Sequence, residues 1–298
     1  MSKFSILGLI IFLLGCVTEP KFQSSQLKDS VQKKININNR IRNYRIYIPE
    51  NLGTKQNKLV FVFHGGMGTA EFMEYISGFN RIAEREKFIV VYPNGTGKAE
   101  NKFLTWNSWK CCGYALEKKV DDVKYIQAII NEIKENYSID SSRIFATGFS
   151  NGGMMSLKLA CDTNDFRAVA SVGGSMFHLD CKPKKSVSVL LINGRKDMVV
   201  PYSGGVGTNS LTKSAKLPIE KVYEFWREQN QCENETKIED EFNPVQYSKT
   251  CNDKTEVRLV EMKLEAHTWP SGNNLYLSDE SNDSFKTSEE IWKFFSKQ

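Results

Sequence analysis

The chain has 298 residues, of which 40% are hydrophobic and 25% charged, with a net charge of +5. That length allows one large domain or two small ones around a sizeable core, and the balance of apolar and charged residues excludes a disordered or fibrous chain. The positive charge is spread along the sequence instead of gathered into runs, so it reads as a mildly basic solvated surface and no nucleic-acid partner is expected.

At the N-terminus, Lys3 precedes an apolar run from Phe4 to Leu14 that closes on Leu13-Leu14-Gly15-Cys16. The run is too short for a bilayer span, which needs about 20 residues, and suits the apolar region of a signal peptide. Its ending resembles a bacterial lipobox, which implies removal of residues 1–15 and lipidation of Cys16; the alternative is a plain secretory signal with an incidental cysteine. Either way an extracytoplasmic protein is expected, and a lipid would hold it to a membrane without a transmembrane helix. Residues 16–38 then read as the lipid-bearing cysteine and a polar flexible tether, and 39–298 as one folded domain. Six further cysteines remain: Cys111, Cys112, Cys161, Cys181, Cys232 and Cys251. An even number in an exported chain argues for disulfides. Cys232 and Cys251 bracket a polar, irregular stretch and form the expected pair. No Cys-x-x-Cys with partner histidines occurs, so no metal is expected.

Along the domain, Arg42 to Ile48 alternates polar and apolar residues and is closed by Pro49, an early antiparallel strand. Leu59 to Phe63 and Phe88 to Tyr92 are continuous apolar runs, as expected of strands buried on both faces. Between them, Glu71 to Lys87 carries apolar residues at helical spacing. A long loop rich in Gly, Asn and Trp spans Thr96 to about Lys119, and loops of that length inside a compact domain are usually functional. Asp121 opens an amphipathic helix through Ile133. Strands are expected over Ala168–Val172, Val187–Ile192 and Val257–Met262, and helices after Pro218 and over Ser288–Phe295. Strands alternating with helices imply an α/β fold, a mostly parallel central sheet with helices on both faces.

The chain is organised around Arg143-Ile-Phe-Ala-Thr-Gly-Phe-Ser-Asn-Gly-Gly-Met-Met155. An apolar strand runs into Gly148-Phe149-Ser150-Asn151-Gly152 and a helix follows. A serine on so tight a strand-to-helix turn is held in a strained backbone conformation, and the glycines remove side chains that would collide with neighbouring elements. The N–H of Asn151, at the positive end of the helix, points where an oxyanion would form. A serine hydroxyl needs a base, itself oriented by an acid, and the chain has only three histidines. His64 precedes Gly65-Gly66-Met67 at a strand end, which fits an oxyanion loop with the second N–H supplied near Gly66 or Met67. His178 reads as structural. His267 follows the last strand and is the expected base. Asp197, just after the strand Val187–Ile192, is the expected acid, with Asp180 in reserve. Asp121-Asp122 reads as a helix N-terminus, where carboxylates favour the dipole.

With these residues placed, the chain resembles the polyhydroxybutyrate depolymerase and feruloyl esterase family of α/β-hydrolases, the LpqC-like esterases. The matching segments are Val120-Asp-Asp-Val123, residues 143–155, Asn193-Gly194 with Asp197 and Val200-Pro201-Tyr202, His267-Thr-Trp-Pro270, and Cys111-Cys112-Gly113 after a Trp/Asn loop. The resemblance implies Ser150 as nucleophile, Asp197 as acid and His267 as base, in a serine ester hydrolase that needs no cofactor. Two departures stand out. Glu265-Ala266 replaces a glycine before the histidine, so a different loop path is expected there, and Arg195-Lys196 replaces small residues before the aspartate. Trp106, Trp109, Tyr202 and Trp269 all fall in loops expected to surround Ser150 and are the expected substrate-binding aromatics, suited to a phenolic acyl group or a sugar face. Feruloyl or acetyl esters of polysaccharide and short 3-hydroxyalkanoate esters are the expected substrates. The alternatives are a non-catalytic surface binding module and a serine peptidase on the same fold. The oligomeric state is not legible.

Overall fold

In the computed structural model, which describes residues 30–37, 39–210, 212–243, 245–273 and 285–298, the chain is built on one ten-stranded sheet. The leader over 1–15 and lipidation at Cys16 lie outside the described residues.

The sheet opens on β1 (Val31–Ile37) and β2 (Arg40–Tyr47), paired antiparallel across a turn in which Asn39 has a φ of 60°. This corrects the tether expected over 16–38, since residues 31–37 already belong to the sheet. Val31, Ile35 and Ile37 alternate with polar residues at the period of a strand, a pattern that Lys33-Lys34 obscures. The strand is largely exposed, and its lysines suit a sheet edge that must not pair with another chain.

β3 (Asn57–Phe63), α1 (Ala70–Ser77), α2 (Phe79–Glu86) and β4 (Ile89–Pro93) follow. The single helix expected over 71–87 is broken in two at Gly78, whose φ of 60° ends α1 and turns the chain into α2. Thr69 caps α1 by accepting the N–H of Phe72 at 3.2 Å. The long loop contains the short α3 (Gly113–Glu117) and leads to α4 (Asp122–Asn136), whose N-cap Asp121 accepts the N–H of Lys124. Then come β5 (Ile139–Phe149), α5 (Asn151–Asp162), β6 (Ala168–Val172), β7 (Ser188–Gly194) and α6 (Ile219–Gln229). The chain continues through β8 (Thr236–Ile238), β9 (Val245–Ser248) and β10 (Val257–Met262) to α7 (Thr287–Phe295).

The spatial order is β1-β2-β4-β3-β5-β6-β7-β10-β9-β8. The strands from β4 to β10 are parallel, and antiparallel pairs finish both margins. β8 and β9 occupy the stretch between Cys232 and Cys251 that patterning reads as irregular, because strands so short carry too little alternation to register. Cys232 and Cys251 are paired, as are Cys161 with Cys181 and Cys111 with Cys112.

The parallel strands are buried on both faces, which is why they read as unbroken apolar runs. Leu59, Phe61 and Phe63 of β3 pack on one side with Ile126 and Ile129 of α4, Leu157 of α5 and Trp226 of α6. Val60 and Val62 face the other side with Met73 of α1, Ile82 of α2 and Phe295 of α7. Each large side chain so buried contributes on the order of 1.5–3 kcal/mol. A parallel sheet clamped this way presents the carboxyl ends of β3, β5, β7 and β10 along one edge, and every candidate catalytic residue lies just beyond one of those ends.

Candidate active site

Ser150 sits between β5 and α5 with φ 53° and ψ −117°, a left-handed conformation that costs an L residue on the order of 1–3 kcal/mol. The surrounding packing enforces it. A Cβ on Gly148 would lie 2.6 Å from the backbone of Gly152, and one on Gly152 would lie 2.4 Å from the Phe63 carbonyl oxygen. Both glycines are therefore required by the close approach of β3, β5 and α5. The Ser150 N–H donates to the Val172 carbonyl at 2.8 Å, which ties the turn to β6.

The Ser150 hydroxyl lies 2.8 Å from Nε2 of His267, and Nδ1 of the same ring lies 2.6 Å from Oδ2 of Asp197. Asp197 is buried, and its Oδ1 accepts the N–H groups of Val199 at 2.8 Å and Val200 at 2.7 Å. The carboxylate is thus fixed from one side by backbone and presents its other oxygen to the ring. The His267 ring leans on Phe149, centroids 4.8 Å apart. The structure brings Ser150, His267 and Asp197 into one hydrogen-bonded chain. The reserve acid Asp180 stays at the surface beside His178, 3.5 Å away.

Both sequence departures have local explanations. Ala266 is not among the residues at positive φ, so the loop before His267 needs no glycine. Arg195 pairs with Glu261 through contacts of 2.6 and 3.0 Å and lies 4.0 Å over the Tyr202 ring.

Of the expected oxyanion groups, Asn151 begins α5, where the first N–H groups lack intrahelical acceptors. Gly66 lines the cavity beside Ser150. Met67 does not qualify, because its N–H donates to the Leu104 carbonyl at 2.7 Å. Asn151 has a further role that patterning misses. Its buried side chain accepts the Trp106 N–H at 2.8 Å and donates to the Trp106 carbonyl at 3.1 Å and to Ser108 Oγ at 2.7 Å. Asp122 holds the same loop, accepting from the Asn107 N–H at 2.8 Å and from Arg42 at 2.8 Å. Burial pushes the Asp122 carboxyl up, and Arg42 opposes the shift.

A cavity of about 270 Å³ opens at Ser150, with Phe72, Phe149, Met154, Val199 and Val200 among its walls. None of the four expected substrate-binding aromatics lines it. Trp106 is wholly buried, its indole donating to the His64 carbonyl at 3.0 Å. Trp269 is buried and donates to Ser288 Oγ at 3.2 Å, and Tyr202 is buried with its hydroxyl on Glu220 at 2.9 Å. Trp109, half-buried, packs edge-on against His178 and behind the pair Cys111–Cys112, which does reach the cavity. An aromatic residue in a loop of this kind closes the core beneath the site instead of walling it.

His64 lies buried under the Gly65–Gly66 turn. Its Nδ1 meets the Gly65 carbonyl at 2.7 Å and its Nε2 accepts the Gly95 N–H at 2.9 Å, an arrangement that requires the neutral ring. Burial lowers its pKa from 6.5 to about 4, and Arg42 adds to the shift. Between those values the unfolded chain binds a proton that the folded chain refuses, so stability falls as the pH drops through the window and no further below it. The whole window is worth about 3 kcal/mol, of which about 2 kcal/mol falls above pH 5, before most carboxylates titrate. Urea unfolding from pH 7.5 to pH 5 is expected to show that decline; a flat profile would mean that His64 is protonated in the fold.

A family model, that of the prolyl oligopeptidase family, matches residues 79–179, the stretch that contains the serine turn. Feruloyl esterase B of Piromyces equi is 28% identical over 229 residues, covering 74% of this chain and 41% of that protein. A probable feruloyl esterase C of Aspergillus flavus is 32% identical over 172 residues, covering 55% of this chain and 58% of that protein. The chain thus spans about half the length of these curated relatives. Among solved structures, the acetyl xylan esterase from Aspergillus awamori superposes with a TM-score of 0.60 at 14% identity, over 89% of this chain and 99% of that one. This is the α/β-hydrolase fold. That fold carries a serine on a strand-to-helix turn, followed along the chain by an acid and a histidine; here the turn after β5, the loop after β7 and the loop after β10 carry Ser150, Asp197 and His267 in that order.

Proposed function

We propose that this chain is a serine carboxylic-ester hydrolase that works through an acyl-enzyme. The hydrogen-bonded chain Ser150–His267–Asp197 at the mouth of the cavity supports this reading above all. Ser150, deprotonated by His267, attacks the ester carbonyl while Asp197 stabilises the imidazolium. The N–H groups of Asn151 and Gly66 receive the oxyanion, each worth about 10²–10³ in rate. His267 then protonates the leaving alcohol, and water repeats the sequence on the acyl-enzyme. The sequence of the first 16 residues and the three disulfides support export and anchoring by a lipid on Cys16.

For the substrate, the likeness to feruloyl esterases and the phenyl walls at Phe72 and Phe149 favour aryl-acyl esters of plant polysaccharide. A serine peptidase of the same fold is the second reading, carried by the prolyl oligopeptidase match. Hydrolysis of methyl ferulate, a 3-hydroxybutyrate oligoester and a peptidyl-proline anilide, with Ser150→Ala as blank, separates them. Ferulate is expected to give the highest kcat/KM. Preference for the oligoester would redirect the protein to polyester scavenging, and preference for the anilide would make it a peptidase. No turnover by a folded protein that also resists a fluorophosphonate probe would leave a binding module.

A further inference from the structure

One wall of the cavity comes from the long connection between β7 and α6, through Asn209, Ser210, Thr212 and Lys216. Lys216 is the unusual member. It is only 4% exposed, and its backbone is held by two hydrogen bonds of 2.9 Å with Gly205, one in each direction. Its ammonium donates to Ser210 Oγ at 2.5 Å, its one side-chain hydrogen bond among the described residues. An ammonium has three donors, and burying it with donors unfilled is costly. No hydrogen bond joins it to the nearby carboxylate of Asp197, whose oxygens accept from His267 and from the Val199 and Val200 N–H groups. Burial pulls the Lys216 pKa down, and the charge on Asp197 works against that shift. Among the described residues no aspartate or glutamate lines the cavity, so the lasting charge they give it is positive.

We propose that Lys216, seated by Ser210, is an anion-recognition group inside the cavity, and that among esters of otherwise matched acyl group the enzyme favours those that also carry a free carboxylate. This inference rests on the ester-hydrolase reading and deepens it. The charge shares a cavity with the apolar side chains of Phe72, Phe149, Met154, Val199 and Val200, and in such surroundings a charge-assisted hydrogen bond to a carboxylate is stronger than in water. A neutral ester of the same length leaves the ammonium unsatisfied.

The test compares kcat/KM for mono-4-nitrophenyl glutarate and for 4-nitrophenyl butyrate in the wild type, Lys216→Met and Lys216→Gln. Removing the charge is expected to lower the glutarate-to-butyrate ratio by about tenfold or more; Lys216→Gln decides the matter if the methionine variant does not fold. Calorimetric binding of free glutarate to Ser150→Ala, with and without Lys216→Met, gives a readout that needs no turnover, and the same loss of affinity is expected. A ratio and a glutarate affinity that each move less than twofold would overturn the inference while Ser150-dependent hydrolysis stands. Lys216-dependent glutarate binding by a protein that hydrolyses neither ester would do the reverse, overturning the hydrolase reading and keeping the anion site.

Discussion

Replacing Ser150 by alanine is expected to lower kcat on any ester substrate by about 10⁴–10⁶-fold, and adding His267→Ala to that variant is expected to cost less than about tenfold more. The near-absence of a second penalty is the informative part. The Ser150 hydroxyl and Nε2 of His267 are 2.8 Å apart, so each acts through the other: without the hydroxyl there is no proton for the ring to take. The residual rate belongs to the oxyanion donors and the cavity, which both variants keep. Neither substitution is expected to unfold the chain, because the turn is held by the Ser150 backbone N–H and by Gly148 and Gly152, not by the hydroxyl. Alanine also keeps the positive-φ strain no worse than serine does. Single-turnover rates and fluorophosphonate labelling of Ser150→Ala, His267→Ala and the double variant supply the check. Losses that multiply would mean that Ser150 and His267 act in separate steps, and a Ser150→Ala protein retaining more than a few per cent of activity would require another nucleophile.

The three side chains that the structure joins in one hydrogen-bonded chain were legible in the sequence because few residues competed for each place. One G-x-S-x-G stands between a strand and a helix, three histidines are available, and between serine and histidine Asp197 comes just after the expected strand Val187–Ile192, with Asp180 in reserve. The parts that patterning missed depend on contacts far apart in the chain. Whether Met67 or Gly66 has a free N–H turns on a bridge to Leu104. Trp106 and Trp269 have the composition of a binding wall, yet the indole of one reaches the His64 carbonyl and that of the other reaches Ser288. Lys216 lies among Lys213, Ser214 and Ala215, where nothing local signals burial; the pairing with Gly205 draws it inside. β1 was hidden by Lys33-Lys34, whose charges suit an edge strand as well as they suit a tether.

Asp197→Asn is expected to cost about 10⁴ in kcat, although it removes no contact that holds the fold. Oδ1 of Asp197 must accept two backbone N–H groups, from Val199 and Val200. An asparagine in this position can satisfy them only with its carbonyl oxygen, which turns its NH₂ towards His267. Nδ1 of the ring, 2.6 Å from Oδ2 in the native protein, must then accept a hydrogen bond instead of donating one. The ring's proton moves to Nε2, and Nε2 can no longer take the proton of Ser150. Asp197→Ala leaves the tautomer free, so it is expected to be the less damaged variant in catalysis while losing more stability through the two orphaned N–H groups. Pairing kcat with urea midpoints for both variants tests this inversion. If the asparagine variant is the more active of the two, the amide has flipped or Asp197 does not orient the ring, and the acid must be sought elsewhere along the sheet edge.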